Sequence, residues 1–277
     1  MEKTQQELRE LAKKVKIIFF DIDDTLRVKD KEFMPESIPS VFERLHKKGI
    51  RTGIASGRAY FGVVPEVRAL GADYYVTING QYVRTKEGEE IFSNPIPKET
   101  IQKIIEWANA VGMEYGMVGK NRAVVSQWTK LVDDAITVVY GKLAEEPDFW
   151  QENPVYQMWT FTDEHKDNVL PEELRSQVRL VRWHPHSCDI VPIHGSKANG
   201  IEKVLEKLGL TDKDLMVFGD ELNDVEMFQY AGLSIAMGNA NEELKPLADY
   251  VTKDIEENGV EYALEMLGLI DPVPVAK

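Results

Sequence analysis

Short apolar runs of strand length alternate along this chain with segments whose apolar residues recur at helical spacing. Leu8, Leu11 and Val15 fall on one face of a short amphipathic helix. Then comes Ile17-Ile18-Phe19-Phe20, apolar at every position and stopped abruptly by Asp21. A run without polar alternation suits a strand buried on both faces of a parallel sheet. The pattern continues with a helix over 38–48, a strand over 50–55, a helix over 60–70 and a strand over 74–78. Strands alternating with helices predict an α/β fold with a doubly wound parallel sheet.

The same grammar returns near the end. Ser196 is placed to cap a helix with Ile201, Val204, Leu205 and Leu208 on one face, ended by Gly209. Residues 215–218 read as a strand running into Gly219-Asp220, followed by a helix through Val225, Met227 and Phe228 and strands at 233–237 and 250–252. Between these halves the texture changes. Strands at 156–161 and 178–183 alternate more, helices at 100–110 and 131–140 separate them, and all five tryptophans lie there. We read 81–190 as an α+β domain inserted into a sheet domain formed by 1–80 and 191–277.

Composition narrows the function. The chain has 277 residues, 43% hydrophobic and 29% charged, with a formal net charge of −14. That acidity disfavours nucleic acids and anionic membranes as partners, since both reward basic surfaces. A small phosphorylated metabolite needs only local positive charge. No apolar run approaches the ~20 residues that span a bilayer, and the N-terminal segment carries charges of both signs with no apolar core, unlike a secretory signal. The single cysteine, Cys188, permits no internal disulfide and fits a reducing, cytoplasmic setting. No pattern here sets an oligomeric state.

Four segments carry candidate chemistry, each at a strand end or helix start, where ligands bind in open parallel sheets. Asp21-Ile22-Asp23-Asp24-Thr25-Leu26 puts carboxylates two residues apart on backbone leaving a strand, a donor set suited to an oxygen-loving cation such as magnesium. Ala55-Ser56-Gly57-Arg58 offers a small hydroxyl and flexible backbone for phosphate oxygens. Lys197, in the first turn of a helix, joins an ammonium to the positive end of the helix dipole. Gly219-Asp220-Glu221-Leu222-Asn223-Asp224 supplies further acids after a strand.

In this order the four segments, FFDIDDTL, IASGR, HGSKANGI and FGDELND, resemble the haloacid dehalogenase superfamily. The inserted domain between the second and third is similar to the type IIB cap of Cof-like phosphatases, and Ile78-Asn79-Gly80 ahead of it adds to the likeness. The resemblance implies a magnesium-dependent phosphatase acting through an aspartyl-phosphate. It makes Asp21 the nucleophile and Asp23 the acid and base. It gives Ser56, Gly57, Arg58, Lys197 and Asn223 to phosphate or substrate. It gives Asp21, the carbonyl of Asp23, Asp220 and, in support, Asp224 to the metal. Position 24 departs from the family's usual glycine; an aspartate there suits a turn.

Competing readings are a phosphomutase, a phospho-aspartate switch of receiver type and an idle binding protein. The large insertion argues against the first, chain length against the second and the intact acids and lysine against the third. His184, His186 and Cys188 lack the fourth ligand a tetrahedral zinc site needs.

Overall fold

In the computed structural model of the chain, which describes residues 3–29, 31–163 and 166–272, strand β1 (Ile17–Phe20) has all four side chains buried. Chain order continues with β2 (Arg51–Ala55), β3 (Tyr74–Thr77), β4 (Tyr82–Thr85), β5 (Glu90–Ser93), β6 (Glu114–Val118) and β7 (Ala123–Val125). There follow β8 (Ala144–Glu145), β9 (Gln157–Phe161), β10 (Val178–His184), β11 (Ser187–Pro192), β12 (Leu215–Gly219), β13 (Leu233–Ala236) and β14 (Tyr250–Val251).

The chain divides into two units. The first comprises Met1–Gly57, Val64–Phe92 and Ser196–Lys277. Its sheet runs β14-β13-β12-β1-β2-β3-β4-β5. From β14 to β3 the strands are parallel. β1 lies between β12 and β2, pairing Ile17 with Leu215 on one side and Arg51 on the other. Its apolar run is continuous because it has neighbours on both edges and helices to pack against. Phe20 stacks with Phe218 at 5.2 Å between ring centroids and meets Phe42 of the Ser37–Lys47 helix at 5.1 Å. Helices Gln5–Ala12, Ser37–Lys47 and Gly259–Leu267 pack together, while Lys197–Leu208 packs with Val225–Tyr230 and against β3.

The sequence pattern starts the insertion at residue 81, and here the structure differs. β4 turns back antiparallel on β3, with Tyr74 opposite Thr85 and Thr77 opposite Tyr82, and β5 forms the sheet's edge. The second unit therefore comprises Ser93–Gly195, together with Arg58–Val63. The expected helix over 60–70 is also divided, into a single 3₁₀ turn at Tyr60–Gly62 and a short helix at Pro65–Ala69. Pro65 begins the second piece, where its missing N–H costs nothing.

The second unit has a sheet ordered β10-β11-β9-β6-β7-β8, antiparallel except between β7 and β8. Helix Lys98–Val111 turns Ile101, Ile104 and Ala108 onto Tyr115, Met117, Met158, Val178 and Ile190 to form its core. Among the described residues no helix is long and apolar enough to cross a membrane.

Candidate active site

The first unit gathers its acids where β1 and β12 end. Asp21 continues the β1 ladder, its N–H donating to the Phe218 carbonyl at 3.1 Å, and its residue is only 6% exposed. Asp220 follows β12 at the adjacent position in the sheet. Asp224 returns to the same place through the turn Leu222–Asp224, accepting the backbone N–H groups of Asp220 at 2.9 Å and Glu221 at 3.2 Å. This tight return requires Gly219. A Cβ there would lie 2.4 Å from Asp224 Oδ2. One carboxylate oxygen from each of Asp21, Asp220 and Asp224 lies within 4.8 Å of the others.

Lys197 enters this cluster from the first turn of its helix. Ser196 caps that helix, its Oγ accepting the Asn199 N–H at 3.3 Å. The lysine is 1% exposed, and its Nζ stands 2.9 Å from Asp21 Oδ1 and 2.6 Å from Asp224 Oδ1. Burial works against its charge but is outweighed by Asp21 and Asp224, which hold its pKa above the usual lysine range. The acids shift upward too, which for them disfavours the charged form. Burial pushes Asp21 up to about 7, against the pull of Lys197 and with the repulsion of Asp224 and Asp23. Burial, then Asp21 and Asp224, push Asp220 up to about 9. Three buried carboxylates share one buried ammonium, so the cluster is short of positive charge.

Thr25 stands in the first motif, and the resemblance implies no role for it. It is fully buried, and its hydroxyl donates to Asp220 Oδ1 at 2.7 Å across 195 positions of sequence. Asp23, two residues before it, is half-buried and pairs with Arg27 in an isolated parallel bridge. Asp24 has φ of 56°, the left-handed region where glycine is at ease and aspartate is tolerated. Its Oδ1 accepts the Lys29 N–H at 3.0 Å, so its carboxylate serves the turn.

Ser56 is 2% exposed, and its N–H donates to the Val76 carbonyl at 2.9 Å. Gly57 lies beside Asn79, whose Oδ1 would be 3.2 Å from a Cβ on that glycine. Asn223 donates from Nδ2 to Asn79 Oδ1 at 3.3 Å. Arg58 belongs instead to the second unit, where its guanidinium donates to the Gly62 carbonyl at 3.2 Å. Asn79 was not among the candidate site residues. The turn signal Asn-Gly after an apolar strand was its only local trace.

The model of the haloacid dehalogenase-like hydrolases matches residues 18–264. The chain belongs to this family. A Streptococcus pyogenes protein named "Putative bifunctional phosphatase/peptidyl-prolyl cis-trans isomerase" is 50% identical over 270 residues, covering 98% of this chain. This chain spans 57% of that relative's length. The Bacillus subtilis protein named "Putative phosphatase YkrA" is 35% identical over 260 residues, 92% of this chain and 98% of its own. Among solved structures, the HAD subclass IIB sugar phosphatase BT4131 superposes with a TM-score of 0.80 at 29% identity, covering 92% of this chain and all of that one. The haloacid dehalogenase-like chain described here is a phosphatase with a subclass IIB fold, and its buried acids form the kind of cluster in which family phosphatases use a divalent metal.

Proposed function

We propose that this phosphatase hydrolyses a small phosphate monoester, such as a sugar phosphate or a phosphorylated cofactor, with magnesium and through a phospho-Asp21 intermediate. One observation carries the reading: Asp21 is a buried strand-end carboxylate, 2.9 Å from Lys197 and clustered with Asp220 and Asp224. A carboxylate so placed is a nucleophile that divides one difficult displacement into two easier ones.

The donor set fits a hard divalent cation. Three carboxylate oxygens within 4.8 Å and carboxyl pKa values pushed up by burial and then by mutual repulsion describe a site in want of positive charge. Asp21, Asp220 and the Asp23 carbonyl would hold magnesium, with Asp224 in support. When bound, the ion supplies charge that keeps these carboxyls ionised and offsets charge developing on the phosphoryl oxygens.

In the first step an Asp21 oxygen forms a bond to phosphorus as the phosphorus–oxygen bond to the leaving group breaks, and Asp23 gives its proton to the departing alkoxide. In the second, Asp23 takes a proton from water as the water oxygen attacks the phospho-aspartate, releasing phosphate and restoring Asp21. Lys197, Ser56 and Asn223 hold the transferring group, with positioning and charge doing most of the work. Gly57 allows close backbone approach. Arg58 is kept as a candidate substrate contact. The sugar phosphatase BT4131, similar over its full length, supports a sugar phosphate among substrate classes, and the net charge of −14 argues against nucleic acid.

The test is phosphate release from a panel of phosphorylated metabolites and from p-nitrophenyl phosphate, with magnesium or with chelator. We expect turnover only with the metal, and none from a folded Asp21→Asn variant. Wild-type-like turnover by that variant would refute the covalent mechanism; accumulation of a stable stoichiometric phosphoprotein would favour a switch.

A further inference from the structure

Three of the four motifs meet at a turn that none of them contains. Ile78, Asn79 and Gly80 leave β3 with φ of 54°, 50° and 86°. The left-handed region is a true outlier for a β-branched residue such as isoleucine. Strain of this kind persists where the surroundings over-determine it, and it concentrates at functional sites.

Here the surroundings act from three sides. The Asn79 N–H donates to the Ser56 carbonyl at 3.1 Å, and the Gln81 side chain donates to the Asn79 carbonyl at 3.3 Å. Gly80 lies against the first turn of the helix bearing Lys197. A Cβ on Gly80 would stand 1.9 Å from the Ser196 carbonyl oxygen, and one on Gly200 would stand 2.9 Å from Gly80 Cα. The third contact is the Asn79 side chain, whose Oδ1 accepts from Asn223 Nδ2 at 3.3 Å. The turn thus touches the segments bearing Ser56, Lys197 and Asn223.

The other end of the Asn223 amide shows what this arrangement does. Asn223 Oδ1 is buried and has no hydrogen-bond partner among the described residues. A buried acceptor left open is costly, and native proteins show few of them. Rotating the amide would place its NH₂ where Oδ1 now lies and set two carbonyl oxygens against each other at Asn79. With Asn79 Oδ1 facing it, the bond to Asn79 selects the orientation that leaves the acceptor open.

We propose that Asn79 is a positioning residue for phosphoryl transfer: it fixes the Asn223 carboxamide so that Oδ1 is offered to an O–H donor, the attacking water. A phosphate oxygen, itself an acceptor, cannot satisfy that atom; only the second Nδ2 hydrogen of Asn223 is left for the transferring group. The proposal rests on the reading of Asp21 as the site of phosphoryl transfer.

A double-mutant cycle on the full chain tests it, with p-nitrophenyl phosphate and magnesium. Asn79→Gly removes the carboxamide but keeps the left-handed backbone at no steric cost; Asn79→Ser serves if that variant does not melt cooperatively. We expect kcat to fall about three- to tenfold, the scale of one lost hydrogen bond, with KM changed less than about twofold. In an Asn223→Ala background the same substitution should change kcat by less than about twofold, because the group it positions is gone. Equal factors in both backgrounds, or no loss in Asn79→Gly, would overturn the positioning role. Asp21→Asn is the control: if it is inactive while the cycle is additive, only the role of Asn79 falls, whereas if it stays active the mechanism beneath the proposal falls too.

Discussion

Replacing Lys197 by methionine should destabilise the first unit to an extent that grows with pH. The lysine is fully buried, and it lies 2.9 Å from Asp21 and 2.6 Å from Asp224. Removing one partner of a buried ion pair typically costs about 3–5 kcal/mol, because an uncompensated charge stays behind. Here the remaining groups can escape by taking up protons. Asp21 already sits at about 7 and Asp220 at about 9, and loss of the ammonium raises both further. A carboxyl whose pKa is higher folded than unfolded contributes stability below the unfolded pKa, near 4, and loses it as pH rises through the folded value. The penalty of Lys197→Met should therefore be small near pH 5 and approach ~3–5 kcal/mol near pH 9 in chelator. Urea unfolding followed by far-ultraviolet circular dichroism measures it across both units. Tryptophan fluorescence provides an internal control, since Trp107, Trp128, Trp150, Trp159 and Trp183 all lie in the second unit. A loss independent of pH, or one seen only in fluorescence, would refute the reasoning.

Two further outcomes follow from packing. Gly219→Ala places a methyl 2.4 Å from Asp224 Oδ2; we expect about 1–3 kcal/mol of destabilisation, the usual cost of overpacking, and a loss of activity larger than Asn79→Gly causes, whereas a fully active variant would mean that the return of Asp224 is not needed. Cys188 is 3% exposed, and burial, then Asp167, pushes its thiol up to about 12, so a thiol reagent at pH 7.5 should modify it only on unfolding; stoichiometric labelling of the native protein within minutes would contradict that.

The segments that form the acidic cluster around Lys197 were legible in the sequence because each is a local event, an apolar run cut off by acids or a lysine beside a capping serine. Such signals need no knowledge of what lies far along the chain. The affiliation of β4 and β5 did need it. Their pattern resembles that of the strands in the second unit, and only the ladder from Tyr74–Thr77 onto Tyr82–Thr85 assigns them to the first sheet. Arg58 shows the same limit, standing next to Gly57 in sequence yet grouping with the second unit. The sequence by itself determined which residue types stand at the strand ends, since strand length and burial are written in hydrophobic periodicity. Only the tertiary structure decided who meets whom there. Thr25 reaches Asp220, Lys197 divides itself between Asp21 and Asp224, and Asn79 holds Asn223. Those partnerships depend on strand order, and strand order is set by long-range packing that local propensity does not contain.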